Sequence, residues 1–312
     1  MTGASLPIGV NTVIPYEQVE IKNNKATLSE ELIVKNKSHI HFKGSDYKTN
    51  DMLLQKGQII TTPMIALIAS LGLTEVQVTK NPKIAVISTG DELIEPGKNC
   101  EPWQIWRSNP FGLQGQLNTM GIAKENISLF HILDDAKDLF NQLKMILDRH
   151  QIVILSGGVS MGKYDFVHTV MPDLNVSKIF HKIKQKPGKP MYFGKGEKDQ
   201  SVFGLPGNPI SALVCMQKYV IPAIQKMIGT TTKSSYAVLT EDILFNKDFT
   251  LFKPVKIEHC PDGKMMATPT SSNGSGDFLS LALSDGFVEL PEDKIIYNKG
   301  EVFPYFSWSQ LS

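Results

Sequence analysis

The sequence predicts an α/β protein with a smaller all-β part at each end. Three observations lead there. Compact apolar runs alternate with helical patterns between residues 82 and 229, short extended pieces separated by turn residues fill 1–50, and from about 237 onward the pattern is strands and turns. At 312 residues the chain holds two or three domains of the usual size, roughly 100–200 residues each. The expected organisation is a partial β domain over 1–50, a linking helical segment over 51–81, an α/β domain with a mostly parallel sheet over 82–229 and a C-terminal β domain over 237–312.

In chain order, NTVIPYEQVEI and ATLSEELIV carry β-formers broken by polar residues, with turns at Pro7-Ile8-Gly9, Asn23-Asn24 and Lys43-Gly44-Ser45-Asp46. Residue 1 falls inside this pattern, the look of a domain entered midway. A helix is expected over 61–73, capped by Thr62, with Pro63 at its first position and Gly72 at its end. KIAVIS (83–88), NISLFHIL (126–133) and QIVIL (151–155) are compact apolar runs of the parallel-strand type. Helices are expected from Asn109-Pro110 to about Met120 and from Asp134 to His150, the second with Leu139, Leu143, Ile146 and Leu147 on one face. Further strands are expected near 178–184 and 201–204. A long helix then runs from Asn208-Pro209 to Met227, kinked by Pro222 and stopped by Gly229.

Charge and cysteine content narrow the function. The 32 basic and 31 acidic residues leave a net charge of +1, which excludes binding to nucleic acid or anionic membrane by bulk charge. Thirty of the basic residues are lysines; only Arg107 and Arg149 offer a planar guanidinium fork. Cys100, Cys215 and Cys260 lack CxxC spacing and are odd in number, as in a reduced cytoplasmic protein. The N-terminus has no basic-then-apolar leader, and no apolar run reaches the ~20 residues of a membrane span.

The chemistry is expected beyond the carboxyl ends of the parallel strands, where open α/β sheets bind ligands. Ser88-Thr89-Gly90-Asp91-Glu92 follows the first of these strands, Asp134-Asp135 the second, and Ser156-Gly157-Gly158-Val159-Ser160-Met161-Gly162, with Asp165 beyond, the third. Gly204-Leu205-Pro206-Gly207-Asn208 follows the 201–204 strand, and Lys186-Pro187-Gly188-Lys189-Pro190 precedes it. Each has a plain structural reading: a flexible turn for 156–162, a helix cap for Asp134 or Asp135, solvated surface for Asp91, Glu92 and the lysines, and a strand-turn-helix with Asn208 as cap. Together they suit a phosphorylated ligand and a divalent cation, with amides and lysines on the phosphate and carboxylates on Mg²⁺.

In that order and spacing TGDELIEPG (89–97), SGGVSMGKYDF (156–166), KPGKPMYFGK (186–195) and GLPGNPISA (204–212) resemble the MoeA-type molybdopterin molybdenumtransferases, relatives of the C-terminal domain of gephyrin. TGASLPIG (2–9), GSDYKTND (44–51) and GSGDFLSLALSDGFVELP (274–291) extend the resemblance over nearly the whole chain. It implies a MogA-like three-layer domain, a β lid, a barrel-like C-terminal domain and a cytoplasmic homodimer. It also implies the reaction: molybdate is inserted into adenylyl-molybdopterin, with Mg²⁺-dependent release of AMP. An adenylyltransferase would act before it and molybdoenzymes after it. Carried over by motif, the resemblance assigns catalysis to Thr2, Asp46, Glu92, Asp134 (or its neighbour Asp135) and Asp165, the last three also holding the metal. It assigns ligand binding to Thr89, Gly90, Asp91, Ser156, Gly157, Gly158, Ser160, Gly162, Lys186, Lys189, Pro206, Asn208 and Ser275.

The chain departs from the family pattern at three places: a leading DN-x-x-x-DGYA segment is absent before residue 1, His41 stands at an arginine position, and Arg107 stands where an acidic or small residue is usual. A catalytically impaired form, or a scaffold that keeps the pterin-nucleotide site, is therefore an alternative. The adenylyltransferase step is another, since the related fold shares the GGVS-type loop.

Overall fold

The computed structural model describes residues 1–159, 167–230, 234–271 and 277–309. The chain divides into two compact units, Met1–Gln58 and Ile59–Ser312.

In the first unit β1 (Val19–Lys22) and β2 (Lys25–Leu28) form an antiparallel hairpin, Lys22 opposite Lys25. Asn23 and Asn24 make its turn at φ 47° and 59°, the left-handed conformation that asparagine tolerates. The strand expected through ATLSEELIV stops at Leu28, because Leu32 N–H turns back onto Ser29 O at 3.0 Å. No residue of this unit is buried.

The second unit opens with α1 (Thr62–Ser70), its N-cap Thr61 rather than Thr62, and none of its residues is buried. There follow β3 (Ile84–Thr89), the two-residue strands β4 (Leu93–Ile94) and β5 (Ile105–Trp106), α2 (Asn109–Thr119), β6 (Ile127–Ile132), α3 (Ala136–Arg149) and β7 (Ile152–Ser156). Next come α4 (Val167–Asp173), β8 (Ser177–His181), β9 (Gln185–Lys186), β10 (Tyr192–Lys195), β11 (Ser201–Leu205) and α5 (Pro209–Cys215). The six-stranded sheet has the order β6-β3-β7-β11-β10-β8. β6, β3, β7 and β11 are parallel, and β10 alone runs against both of its neighbours. The sheet is thus mostly parallel with one reversed strand.

Every residue of β3, β7 and β11 is buried, which is why these segments read as unbroken apolar runs. Alternation sends Ile84, Val86, Ile152 and Ile154 into one core with Leu113 and Leu117 of α2, and Ala85, Ile87, Val153 and Leu155 into another with Leu139, Leu143 and Ile146 of α3. A three-layer α/β/α domain results. The strand expected to 184 ends at His181, where Lys182 takes φ 69°. A five-residue π turn (Met216–Val220) leads from α5 into α6 (Ile221–Met227). Pro222 therefore lies just after the π turn, in helical backbone that continues from Val220 and Ile221, rather than in the middle of one regular α-helix.

The C-terminal part comprises β12 (Ser235–Leu239), β13 (Ile243–Leu244), β14 (Thr250–His259), β15 (Met265–Pro269), α7 (Phe278–Ala282), β16 (Gly286–Leu290), β17 (Ile296–Tyr297) and β18 (Val302–Ser307). Five of these strands close in the order β15-β12-β18-β16-β14, with β14 pairing back onto β15. Closure leaves no open edge within the barrel. β9 joins β14 from outside in parallel, Lys186 opposite Leu251, so the strand bearing the first lysine of the KPGKP segment belongs to the barrel sheet. All three cysteines are free, and no helix among the described residues is long and apolar enough to cross a membrane.

Candidate active site

β3, β7 and β11 end side by side, and the turns after them enclose a cavity of about 750 Å³. After β3, Gly90 adopts φ 136°, and a Cβ there would lie 2.6 Å from Glu92 Oε2; the glycine lets the Glu92 carboxylate fold back over it. After β7, Gly157 sits at φ 102° with its N–H donated to Leu205 O at 3.1 Å. Gly207 follows β11, and a Cβ on it would meet Gly157 Cα at 3.7 Å, so the two turns lie against each other. Asn109, at the start of α2, ties them together: its Nδ2 donates to Ser156 Oγ at 2.7 Å and to Gly207 O at 2.8 Å. Asn208 caps α5, its Oδ1 accepting from Ser211 N at 3.0 Å.

The fourth parallel strand, β6, decides between the two adjacent aspartates. α3 begins at Ala136, and Asp135 is its cap, accepting from Asp138 N at 2.8 Å. Asp134 is thereby left to line the cavity with Glu92. Partial burial, then the nearby charges of Asp91 and Glu92, raise the Asp134 carboxyl above the usual aspartate range. Asp91 is not on the cavity wall; its Oδ1 accepts from the Asp134 N–H at 3.0 Å and fixes that corner of the chain.

Trp106, Arg107 and Asn109 are three of the wall residues that had no part in the sequence expectations for the site. Trp106, half-exposed, is oriented by its indole N–H on Lys98 O at 3.2 Å. Arg107 is buried, its Nη2 2.6 Å from Glu95 Oε1 and its Nη1 on Ser88 Oγ and Phe130 O, both at 3.3 Å. Asn109 is the third. A signal existed for Arg107 alone, as one of two arginines in a lysine-rich chain.

Thr89, Gly90, Glu92, Asp134, Ser156, Gly157, Gly158, Pro206 and Asn208 all stand on the cavity wall. The two lysines do not: of the 186–190 segment only Pro190 lines it. Lys186 Nζ lies 5.8 Å from the Phe245 ring and Lys189 Nζ 5.4 Å from that of Phe249, both on the barrel part. Lys253 joins them; burial, together with the positive charge of Lys186, lowers its pKa. Ser160, Gly162, Asp165 and Ser275 lie outside the described residues. In the first unit Thr2 is exposed, and Asp46 Oδ2 is 2.9 Å from His41 Nε2. Among the described residues no three histidine, cysteine or carboxylate side chains converge as a ready metal cage.

A three-layer α/β domain of this topology, with glycine turns and carboxylates at its strand ends and a small barrel behind it, defines a class. Residues 85–226 match the family described as a probable molybdopterin binding domain. Residues 1–72 match the MoeA N-terminal region (domain I and II), and 236–308 the MoeA C-terminal region (domain IV). The molybdopterin molybdenumtransferase of Synechocystis sp. is 39% identical over 309 residues, covering 99% of this chain and 76% of that protein. The Bacillus subtilis enzyme of the same name is 30% identical over 305 residues, covering 96% of this chain and 70% of that protein. The crystal structure of a molybdopterin biosynthesis MoeA protein from Pyrococcus horikoshii superposes with a TM-score of 0.77 at 29% identity, covering 98% of this chain and 74% of that one. The chain belongs to the MoeA-type molybdopterin molybdenumtransferase family.

Proposed function

We propose that this chain inserts molybdate into the dithiolene of adenylyl-molybdopterin and releases AMP in a Mg²⁺-dependent step. The observation that carries the reading is one cavity in which glycine turns suited to phosphate meet the Glu92 and Asp134 carboxylates. Backbone amides in such turns attract phosphate oxygens, whereas carboxylates repel them. A divalent cation reconciles the two, and Mg²⁺ is usually held by one or two carboxylates plus the phosphates of the ligand. Burial, and after it the charges of Asp91 and Glu92, raises the Asp134 carboxyl, and a bound cation would offset both. Glu92 and Asp134 fit that role, with Asp165 as a third candidate by motif. Mg²⁺ bound there supplies Lewis-acid polarisation of the pyrophosphate.

The remaining roles follow from residue chemistry. The turns at Gly157-Gly158 and Gly207 seat the nucleotide phosphates. Lys186 and Lys189 supply positive charge for the anionic pterin phosphate and molybdate, and Ser275 is a further ligand-binding candidate by motif. Thr2 and Asp46 join the catalytic set by motif. Family membership supports a homodimer that receives its substrate from an adenylyltransferase and passes the cofactor to molybdoenzymes. Three free cysteines suit the cytoplasm.

Calorimetric titration with AMP tests the site. AMP should bind in the presence of Mg²⁺, and Glu92→Gln should raise the Mg²⁺ concentration needed. AMP affinity that is identical in EDTA and in Mg²⁺ contradicts the arrangement.

A further inference from the structure

The KPGKP turn is held from beneath by a side chain that the proposed reaction does not use. Gln185 is only 1% exposed, yet it carries a full amide on the residue before Lys186. Both ends of that amide are engaged. Its Nε2 donates to Pro187 O at 3.2 Å and touches Cys215 Sγ at 3.4 Å, while its Oε1 accepts from the Tyr219 hydroxyl. The next two carbonyls of the turn are also held inward. Gly188 O accepts from the Cys215 thiol at 3.8 Å, and Lys189 O from Ile183 N–H at 2.9 Å. Burial pushes the Cys215 thiol up to about 12, so it keeps the proton that it donates. Packing here leaves no slack: a Cβ on Gly188 would lie 2.4 Å from Cys215 Sγ and 2.6 Å from Gln185 Nε2.

The π turn places Tyr219 for this contact. Its wider winding breaks the α-helical register over Met216–Val220, and such turns recur at functional sites. On the same turn Lys218 pairs with Glu289 of β16 at 2.5 Å, and its ammonium lies 4.7 Å from the Phe306 ring. The helix that supports the lysine turn is therefore anchored to the barrel against which Lys186 and Lys189 pack.

We propose that Gln185 is a positioning residue, acting with Tyr219 and Cys215. By drawing two successive carbonyls of the turn inward, those of Pro187 and Gly188, this trio presents Lys186 and Lys189 outward as a fixed pair of cations for an anionic, phosphorylated ligand. The proposal rests on the reading above that these lysines hold the anionic part of the substrate. A buried polar network of this kind orders a site when every member is partnered.

The test is titration of inorganic pyrophosphate, at fixed Mg²⁺, into the full chain and four variants: Lys186→Met/Lys189→Met, Gln185→Met, Tyr219→Phe and Gln185→Met/Tyr219→Phe. Both the lysine pair and Gln185→Met should weaken binding about tenfold or more, the lower end of losses when a supporting partner is removed. Tyr219→Phe should weaken it less, and the Gln185/Tyr219 double variant should match Gln185→Met, since Tyr219 acts on the turn through its bond to Gln185. Melting temperature separates positioning from plain stability. The double variant leaves one fewer unpaired polar group than Gln185→Met, so its melting point recovers while its affinity stays low. Affinity that recovers with the melting point overturns the positioning role. Wild-type affinity in Gln185→Met, beside a loss in the lysine variant, overturns it alone. Should Gln185→Met fail to fold, wild-type affinity in Tyr219→Phe overturns it. Unchanged affinity in the lysine variant overturns the anion-holding reading, and the positioning role with it.

Discussion

Replacing Gly157 with alanine tests whether the turn after β7 is as constrained as its geometry indicates. The residue sits at φ 102°, a conformation that L side chains rarely adopt, and holding alanine there costs about 1–3 kcal/mol. The added Cβ would also lie 2.9 Å from Thr89 Oγ1 and 3.0 Å from Thr89 O. The hydroxyl can rotate away, but the carbonyl belongs to the last residue of β3 and cannot, so the two strand ends must separate. Overpacking of that kind costs about 1–3 kcal/mol. Together the terms reach about 2–6 kcal/mol, a large part of the 5–15 kcal/mol that holds a domain folded. Urea unfolding followed by circular dichroism measures the loss, and AMP calorimetry on the folded variant measures the disturbance of the site. Thr89→Ala in the same background should recover only the hydroxyl share. A Gly157→Ala midpoint within error of the parent would refute the reasoning, because the turn would then be free to relax.

Other expectations follow from single groups. The Asp134 carboxyl is raised by burial and by Asp91 and Glu92, so the folded chain binds its proton more tightly than the unfolded chain does. Its ionisation therefore costs stability as pH rises through the carboxylate range, and the whole cost is present above it. Asp134→Asn should raise the melting point near neutral pH, on the order of 1 °C for so open a group, should leave no such gain below the carboxylate range, and should weaken Mg²⁺ binding. A lower neutral-pH melting point contradicts the crowding. Asn208→Ala removes the acceptor for Ser211 N and Ser211 Oγ, both at 3.0 Å, and should cost about 1 kcal/mol, read as a lower midpoint in thermal unfolding. No change there would mean that water replaces the cap at no cost.

How much was legible in the sequence depended on how locally each feature is determined. β3 and β7 could be read because burial on both faces writes itself as continuous apolar residues, and the edge strand β6, only half-buried over Ser128–His131, because apolar residues still dominate it. The choice between Asp134 and Asp135 could not, since it turns on whether α3 starts at Ala136 or one residue earlier, within the fraying that helix ends allow. The KPGKP segment suggested held lysines, but not what holds them: Phe245 and Phe249 lie more than fifty residues later and Tyr219 on a π turn that no periodicity announces. Trp106 and Asn109 reach the cavity only through the β4–β5 pairing and a side-chain bridge to Gly207, contacts between segments distant in the chain. In the first unit β-former content overstated the strands, because without burial on one face propensity alone does not extend a hairpin beyond Leu28.

The central claim is that this chain carries out the molybdenum-inserting step on an adenylylated pterin. The direct measurement is AMP released from purified adenylyl-molybdopterin by the purified chain, with molybdate and Mg²⁺ varied independently and molybdenum in the pterin product assayed alongside. The account predicts AMP release that requires Mg²⁺, rises with molybdate and matches the molybdenum incorporated mole for mole. Release at full rate in EDTA, or release with no molybdenum in the product, contradicts it.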